Sequence, residues 1–208
     1  METQDLDASV TFAPIKASST VSYIPRRPRN REHLTPREIK RLLKAARANR
    51  YGLRDYTLIL LAYTHGLRVC EALWARWQDF DFNIGVYHVN RLKGSLSGDH
   101  PIPGFEIRAL RRFQREGPTC EEYLFCSERG GPMTGRGVHK MIERLAVRAG
   151  LGDLNIHPHM LRHSCGYYLV DKGVDLRTIQ SYLGHKTLQQ TIRYTFLSPK
   201  KFRRLWDD

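Results

Sequence analysis

Apolar periodicity breaks at a few points along this chain, and side chains able to do chemistry gather there. Gly66-Leu67-Arg68-Val69-Cys70-Glu71 sets an arginine three residues ahead of a glutamate. Alone, that pair is an ordinary helix-surface contact worth about 0.2–0.5 kcal/mol. His157-Pro158-His159-Met160-Leu161-Arg162-His163 is less ordinary, because a helix starting near Pro158 brings His159, Arg162 and His163 onto one face. Leu183-Gly184-His185 follows, and Tyr194 stands nine residues after that histidine. Between the two arginine segments, Lys93 lies in a stretch patterned as a hairpin.

His159 and His163 have the spacing of two helical zinc ligands, so a metal is weighed first. No glutamate follows His159 as in H-E-x-x-H, Arg162 would repel a cation, and no C-x-x-C pair offers further ligands. Neither G-x-x-x-x-G-K-[ST] nor G-x-G-x-x-G occurs, so no nucleotide loop is present. The expectation is therefore neither metal nor cofactor. The remaining set of arginines, lysine, histidines and late tyrosine suits metal-free phosphoryl transfer. Charge gathers on the non-bridging oxygens of a phosphodiester in its transition state, and planar guanidiniums can bind those oxygens in pairs. A phenol, with a pKa near 10, is a competent nucleophile and a tolerable leaving group. A lysine or histidine must protonate the departing sugar oxygen.

These residues need elements to position them. Thr35, Pro36 and Glu38 spell a capping box, and Ile39, Leu42, Leu43 and Ala46 continue it as a helix. A second helix is predicted over about 54–65, stopped by Gly66, and a third over about 68–77. The period then changes. Residues 81–85 read as a turn, 86–89 as a strand, and 86–102 as an antiparallel hairpin bent at Gly94 to Gly98. Helices resume at about 105–115, 135–149, 158–172, 175–183 and 187–194, punctuated by Gly150, Gly173 and Gly184. The expected fold is mainly α with a small antiparallel β-sheet (α+β), in one unit over 32–208.

Thirty-four Lys plus Arg against 21 Asp plus Glu leave a charge of +13, which favours a polyanionic partner. At 41% hydrophobic residues the chain can build a core. No run approaches the roughly 18 apolar residues of a membrane span. The opening METQDLDASV does not read as a secretory signal, so no membrane partner and a cytoplasmic location are expected. Four scattered cysteines are expected to be reduced. Residues 1–31 read as a flexible basic tail, an extended arm whose Arg26, Arg27, Arg29 and Arg31 could follow phosphates, and Arg91 in the hairpin is a further expected DNA contact.

Arg68 in G-L-R-V-C-E-A-L, Lys93 in the hairpin, His159 and Arg162 in H-x-L-R-H, His185 in L-G-H and Tyr194 resemble, in order and context, the six active-site positions of the tyrosine recombinases (phage integrase family). The resemblance covers about residues 33–198. The short chain and its H-P-H-M-L-R-H-S-C-G segment look most like the fimbrial phase-variation recombinases, which invert a promoter-bearing DNA segment. It implies that Tyr194 attacks the scissile phosphate to leave a 3′-phosphotyrosine, while Arg68 and Arg162 hold the non-bridging oxygens. Lys93 would protonate the 5′-oxygen, His159 would act as proton acceptor or positioning base, and His185 would donate to the phosphate. Glu71 would orient Arg68, and His163 would give second-rank support. The partners implied are duplex DNA with specific sites, a homo-tetramer on two sites, and accessory DNA-bending proteins. The separate N-terminal DNA-clamping domain of most members is expected to have no counterpart here, which would leave grip to the basic arm or a helper. Phe202, Leu205 and Trp206 could dock on a neighbouring protomer. The alternatives are integration or excision of a mobile element, a DNA-binding regulator that cuts nothing, and a type IB topoisomerase.

Overall fold

The structure, a computed structural model, describes residues 31–91, 95–117 and 122–195. The expected arm residues Arg26, Arg27 and Arg29, the hairpin Lys93, and the docking residues Phe202, Leu205 and Trp206 lie outside them.

Helix α1 (Pro36–Arg47) starts as its capping box dictates: the Thr35 hydroxyl accepts from the Glu38 amide, and the Glu38 carboxylate accepts from the Thr35 amide at 2.7 Å. Glu38 also takes the Arg31 guanidinium at 2.6 Å. Arg31, expected along DNA, is thus engaged at a helix start, where a carboxylate partner seven residues away competes with phosphate. Helix α2 (Gly52–Thr64) is buried along most of its length, and Gly66 ends it in the left-handed region at φ 57°. A Cβ on Gly66 would lie 2.3 Å from Leu183, so only glycine permits this approach.

The third helix is shorter than expected. It spans α3 (Val69–Leu73), after which the Asp79 carboxylate accepts the Arg76 amide at 2.8 Å and starts a separate 3-10 turn over Trp77–Asp79. The sheet has three strands rather than the two of a hairpin. β1 (Phe80–Asp81) pairs antiparallel with β2 (Val86–Val89), which pairs antiparallel with β3 (Gly98–Pro101) in register Tyr87 to His100. Two residues cannot display an alternating pattern. β1 exists because the Asp81 carboxylate caps the Asn83 amide at 2.8 Å and Gly85 at φ 67° folds the chain back onto β2.

Helices α4 (Gly104–Glu116), α5 (Gly135–Arg148), α6 (Pro158–Asp171) and α7 (Leu176–Leu183) match their predicted spans closely. The last predicted helix contracts to α8 (Gln189–Ile192). α1, α2, α4, α5 and α6 close around a core of Leu42, Leu58, Leu61, Leu110, Phe113, Ile142 and Leu161. A satellite core joins α6, α7 and α8 through Cys165, Val170, Ile179, Leu183 and Tyr194. α6 serves both cores and is buried almost all round from Met160 to Gly166, polar residues included. Among the described residues no helix is long and apolar enough to cross a membrane. Cys70 and Cys165 carry free thiols, but Cys126 is disulfide-bonded, correcting the expectation of reduced cysteines throughout. Pairing depends on Cα separation and direction, which spacing along the chain does not reveal.

Candidate active site

The turn that ends α2 buries Leu67 and leaves Arg68 at the start of α3. Glu71, one turn on and 3% exposed, accepts the Arg68 amide at 2.8 Å and its Nη1 at 2.6 Å. The same carboxylate accepts Arg91 Nη1 at 2.7 Å and lies 3.9 Å from Arg162 Nη1. Burial opposes ionisation of Glu71. Arg91, with the hydrogen bonds from Arg68, outweighs it and holds the carboxyl below its ordinary range. Three guanidiniums thus share one carboxylate and leave the cluster cationic.

Their exposure differs. The Arg68 side chain is 29% exposed, donates also to Ser95 Oγ at 3.1 Å, and with His159, Trp74, Tyr123 and Met133 lines a groove of about 580 Å³. Arg162 is buried beneath, its Nη1 donating to the Gly66 carbonyl and its Nη2 to the Leu183 carbonyl, each at 2.6 Å. Burial, then the charges of Arg91 and Arg68, bring its pKa down to about 10, so it stays cationic at neutral pH. Arg91 corrects a sequence expectation. Its side chain is 1% exposed and fully committed to Glu71 and to main-chain carbonyls, so it is no DNA contact in this conformation. Sequence could not show that the end of β2 points its next arginine inward, under the α2–α3 turn.

α6 carries His159, Arg162 and His163 on one side, as the spacing required. The His159 ring meets His163 edge-on at 4.6 Å, and His163 Nδ1 lies 3.1 Å from the Tyr194 hydroxyl. Of the two histidines it is His163, assigned only a supporting part from sequence, that touches the phenol. Burial, then the His159 charge, lowers His163 to about 3 and keeps it neutral. Desolvation and Arg162 also hold His159 below its ordinary value. Gly184, at φ 65°, turns the chain so that His185 is buried and its Nδ1 pairs with Thr191 Oγ1 at 2.8 Å. The His185 ring lies 6.1 Å from the Tyr194 ring and nearly parallel to it.

Tyr194 is 1% exposed, and burial pushes its phenol up to about 12, against the opposing pull of Arg162. Its ring rests on the bare backbone of Gly166, where a Cβ would approach Cε2 to 2.6 Å. Sequence reasoning missed Gly166, Thr191 and Ser95. A glycine inside an otherwise well-formed helix is the one local signal for the first. The structure therefore brings Arg68, Glu71, His159, Arg162, His163, His185 and Tyr194 into one neighbourhood. Among the described residues no three His, Cys, Asp or Glu side chains converge as a metal site.

A model described as the Phage integrase family matches residues 32–201. The chain is 38% identical over 182 residues to the type 1 fimbriae regulatory protein FimE of Escherichia coli K12, covering 85% of this chain and 91% of that one. FimB of the same strain is 38% identical over 183 residues, covering 86% and 91%. Tyrosine recombinase XerC of Xanthomonas axonopodis pv. citri is 35% identical over 182 residues, covering 83% of this chain but 59% of its own. Two solved structures superpose well. XerA recombinase does so with a TM-score of 0.73 at 27% identity, over 86% of this chain and 65% of that chain. XerH recombinase bound to its difH substrate gives 0.71 at 27% identity, over 85% and 54%. The chain thus spans 65% and 54% of those two longer recombinases, and most of the fimbrial relatives.

Proposed function

The chain belongs to the phage integrase family, the tyrosine recombinases, and from that premise we propose that it cuts and rejoins duplex DNA at specific sites and inverts the segment between them. One observation carries the reading: a tyrosine hydroxyl, a pair of α6 histidines and a cationic arginine cluster, far apart in sequence, meet in one place. Tyr194 Oη attacks phosphorus and the bond to the 5′-oxygen breaks. The phenol proton passes to His159, the residue matching the family pattern, once Tyr194 has left its resting contact with His163 Nδ1. Lys93 supplies a proton to the departing 5′-oxygen. Arg68, Arg162 and His185 take the charge on the non-bridging oxygens. Bond energy is kept in the phosphotyrosine ester, so rejoining by a 5′-hydroxyl needs no nucleotide cofactor and no metal.

A phenol at 1% exposure cannot meet a DNA backbone, so DNA binding must draw Tyr194 outward before cleavage. Relatives named for fimbrial regulation support inversion over mobility of an element. Four protomers on two sites, helped by DNA-bending proteins, and with Arg26, Arg27 and Arg29 along the phosphates, complete the proposal. The test is a nicked suicide duplex carrying candidate sites from DNA flanking the gene, incubated with the chain in EDTA. A covalent adduct whose linked peptide contains Tyr194 is expected. An adduct mapped to another residue would reassign the nucleophile, and none on any site would remove the enzyme reading.

A further inference from the structure

Beneath the two family-matched arginines the fold seats a third. Arg91 Nη1 donates to Glu71 at 2.7 Å and to the Gly66 carbonyl at 3.3 Å. Its Nη2 donates to the carbonyls of His65 at 3.0 Å and Tyr182 at 2.7 Å, and its amide donates to Ser97 Oγ at 3.0 Å. Three of those partners adjoin or are an anchor of another arginine. Glu71 holds Arg68, the Gly66 carbonyl holds Arg162, and Tyr182 precedes Leu183, whose carbonyl also holds Arg162. The stem of Arg91 crosses the glycine before His185: a Cβ on Gly184 would lie 3.2 Å from Arg91 Cγ and Nε and 2.9 Å from the Leu96 carbonyl.

We propose that Arg91 is a positioning residue for strand cleavage, one guanidinium that fixes together the anchors of Arg68 and Arg162 and the turn delivering His185. The proposal rests on the recombinase reading above. It explains why an arginine stands there. Five donors in a rigid fork can span a carboxylate and three carbonyls at once, whereas a lysine offers three donors from a single point. It also separates Arg91 from the phosphate contacts, since its donors face protein oxygens. Losing it would leave Glu71 and three carbonyls to drift, and reacting groups displaced by about 1 Å can cost about 100-fold in rate.

The experiment compares the unsubstituted chain with Arg91→Met, Arg91→Lys, Glu71→Gln and Arg91→Met/Glu71→Gln on the nicked duplex that traps the unsubstituted chain. DNA affinity, its salt dependence and the single-turnover cleavage rate at saturating DNA are all measured. Arg91→Met is expected to keep affinity and salt slope while losing about 100-fold in cleavage, with Arg91→Lys between it and the parent. The double variant should be no slower than the worse single, because both act through one link. A salt slope reduced by about one would make Arg91 a phosphate ligand and overturn the proposal. Parental cleavage rates, or additive losses in the double variant, would overturn it too. Should Arg91→Met not fold, Arg91→Lys against Glu71→Gln carries the same comparison. Failure of the unsubstituted chain to form any adduct would instead strike the recombinase reading, and this proposal with it.

Discussion

At the scale of single residues, the site is held in a resting state by burial. The Tyr194 phenol is raised to about 12 and stays protonated at neutral pH. Tyr194→Phe removes one oxygen and its contact with His163, so the variant should bind DNA nearly as the parent does yet form no covalent adduct, as read on denaturing gels. An adduct persisting in that variant would shift the role to another residue. The two arginines should part company in a second measurement. Each is asked for roughly 3–4 kcal/mol of charge stabilisation, so Arg68→Ala and Arg162→Ala should both slow cleavage by about 100- to 1,000-fold. The buried Arg162 also satisfies the Gly66 and Leu183 carbonyls, so its loss should cost a further 1–3 kcal/mol or so of fold stability. Arg68, partly solvated, should cost little in a urea melt. Equal melts for the two variants would contradict this division.

At the scale of elements, α6 is the organiser. One side of it closes the main core, the other carries His159, Arg162 and His163, and Gly166 provides the seat for Tyr194. Gly166→Ala puts a methyl where the phenol ring lies, an overpacking that typically costs about 1–3 kcal/mol. The ring is the part that gives way, because α8 beside it is only four residues long. The Tyr194 phenol should then titrate nearer its ordinary value, measured as the ultraviolet titration difference between Gly166→Ala and Gly166→Ala/Tyr194→Phe. A phenol still raised in the alanine variant would mean that the helix, not the ring, had moved.

For the whole molecule, buried neutral histidines tie stability to pH. His100, His163 and His185 are each lowered to about 3, burial being the largest cause in every case. Unfolded, these rings take protons near pH 6.5, so below that value the unfolded chain binds more protons than the folded one. Stability from this source is therefore complete above pH 6.5 and lost as pH falls toward 3. At pH 5 the loss is about 2 kcal/mol for each fully buried ring. Urea midpoints should fall steeply between pH 7 and pH 5, and less so for His100→Gln; a flat profile would count against neutral burial. The charge of +13 acts on another property, since DNA affinity resting on phosphate contacts should weaken linearly in log salt.

The sequence by itself determined what obeys local rules. The Thr35 capping box, the glycine stops at Gly66 and Gly184, the helical face of His159, Arg162 and His163, and the mixed helical and antiparallel architecture were all legible. Each follows from backbone geometry within a few residues. Helix ends were read less well where tertiary partners set them, as at α3 and α8, and the two-residue β1 was invisible until β2 lay beside it. Only the folded chain decided which like-looking residues share a task. Arg68, Arg91 and Arg162 are chemically identical, and burial against Glu71 and main-chain carbonyls alone makes one solvent-facing and two interior. Likewise His163 rather than His159 meets Tyr194, because the phenol packs one turn along α6, over a glycine whose missing side chain leaves room for it.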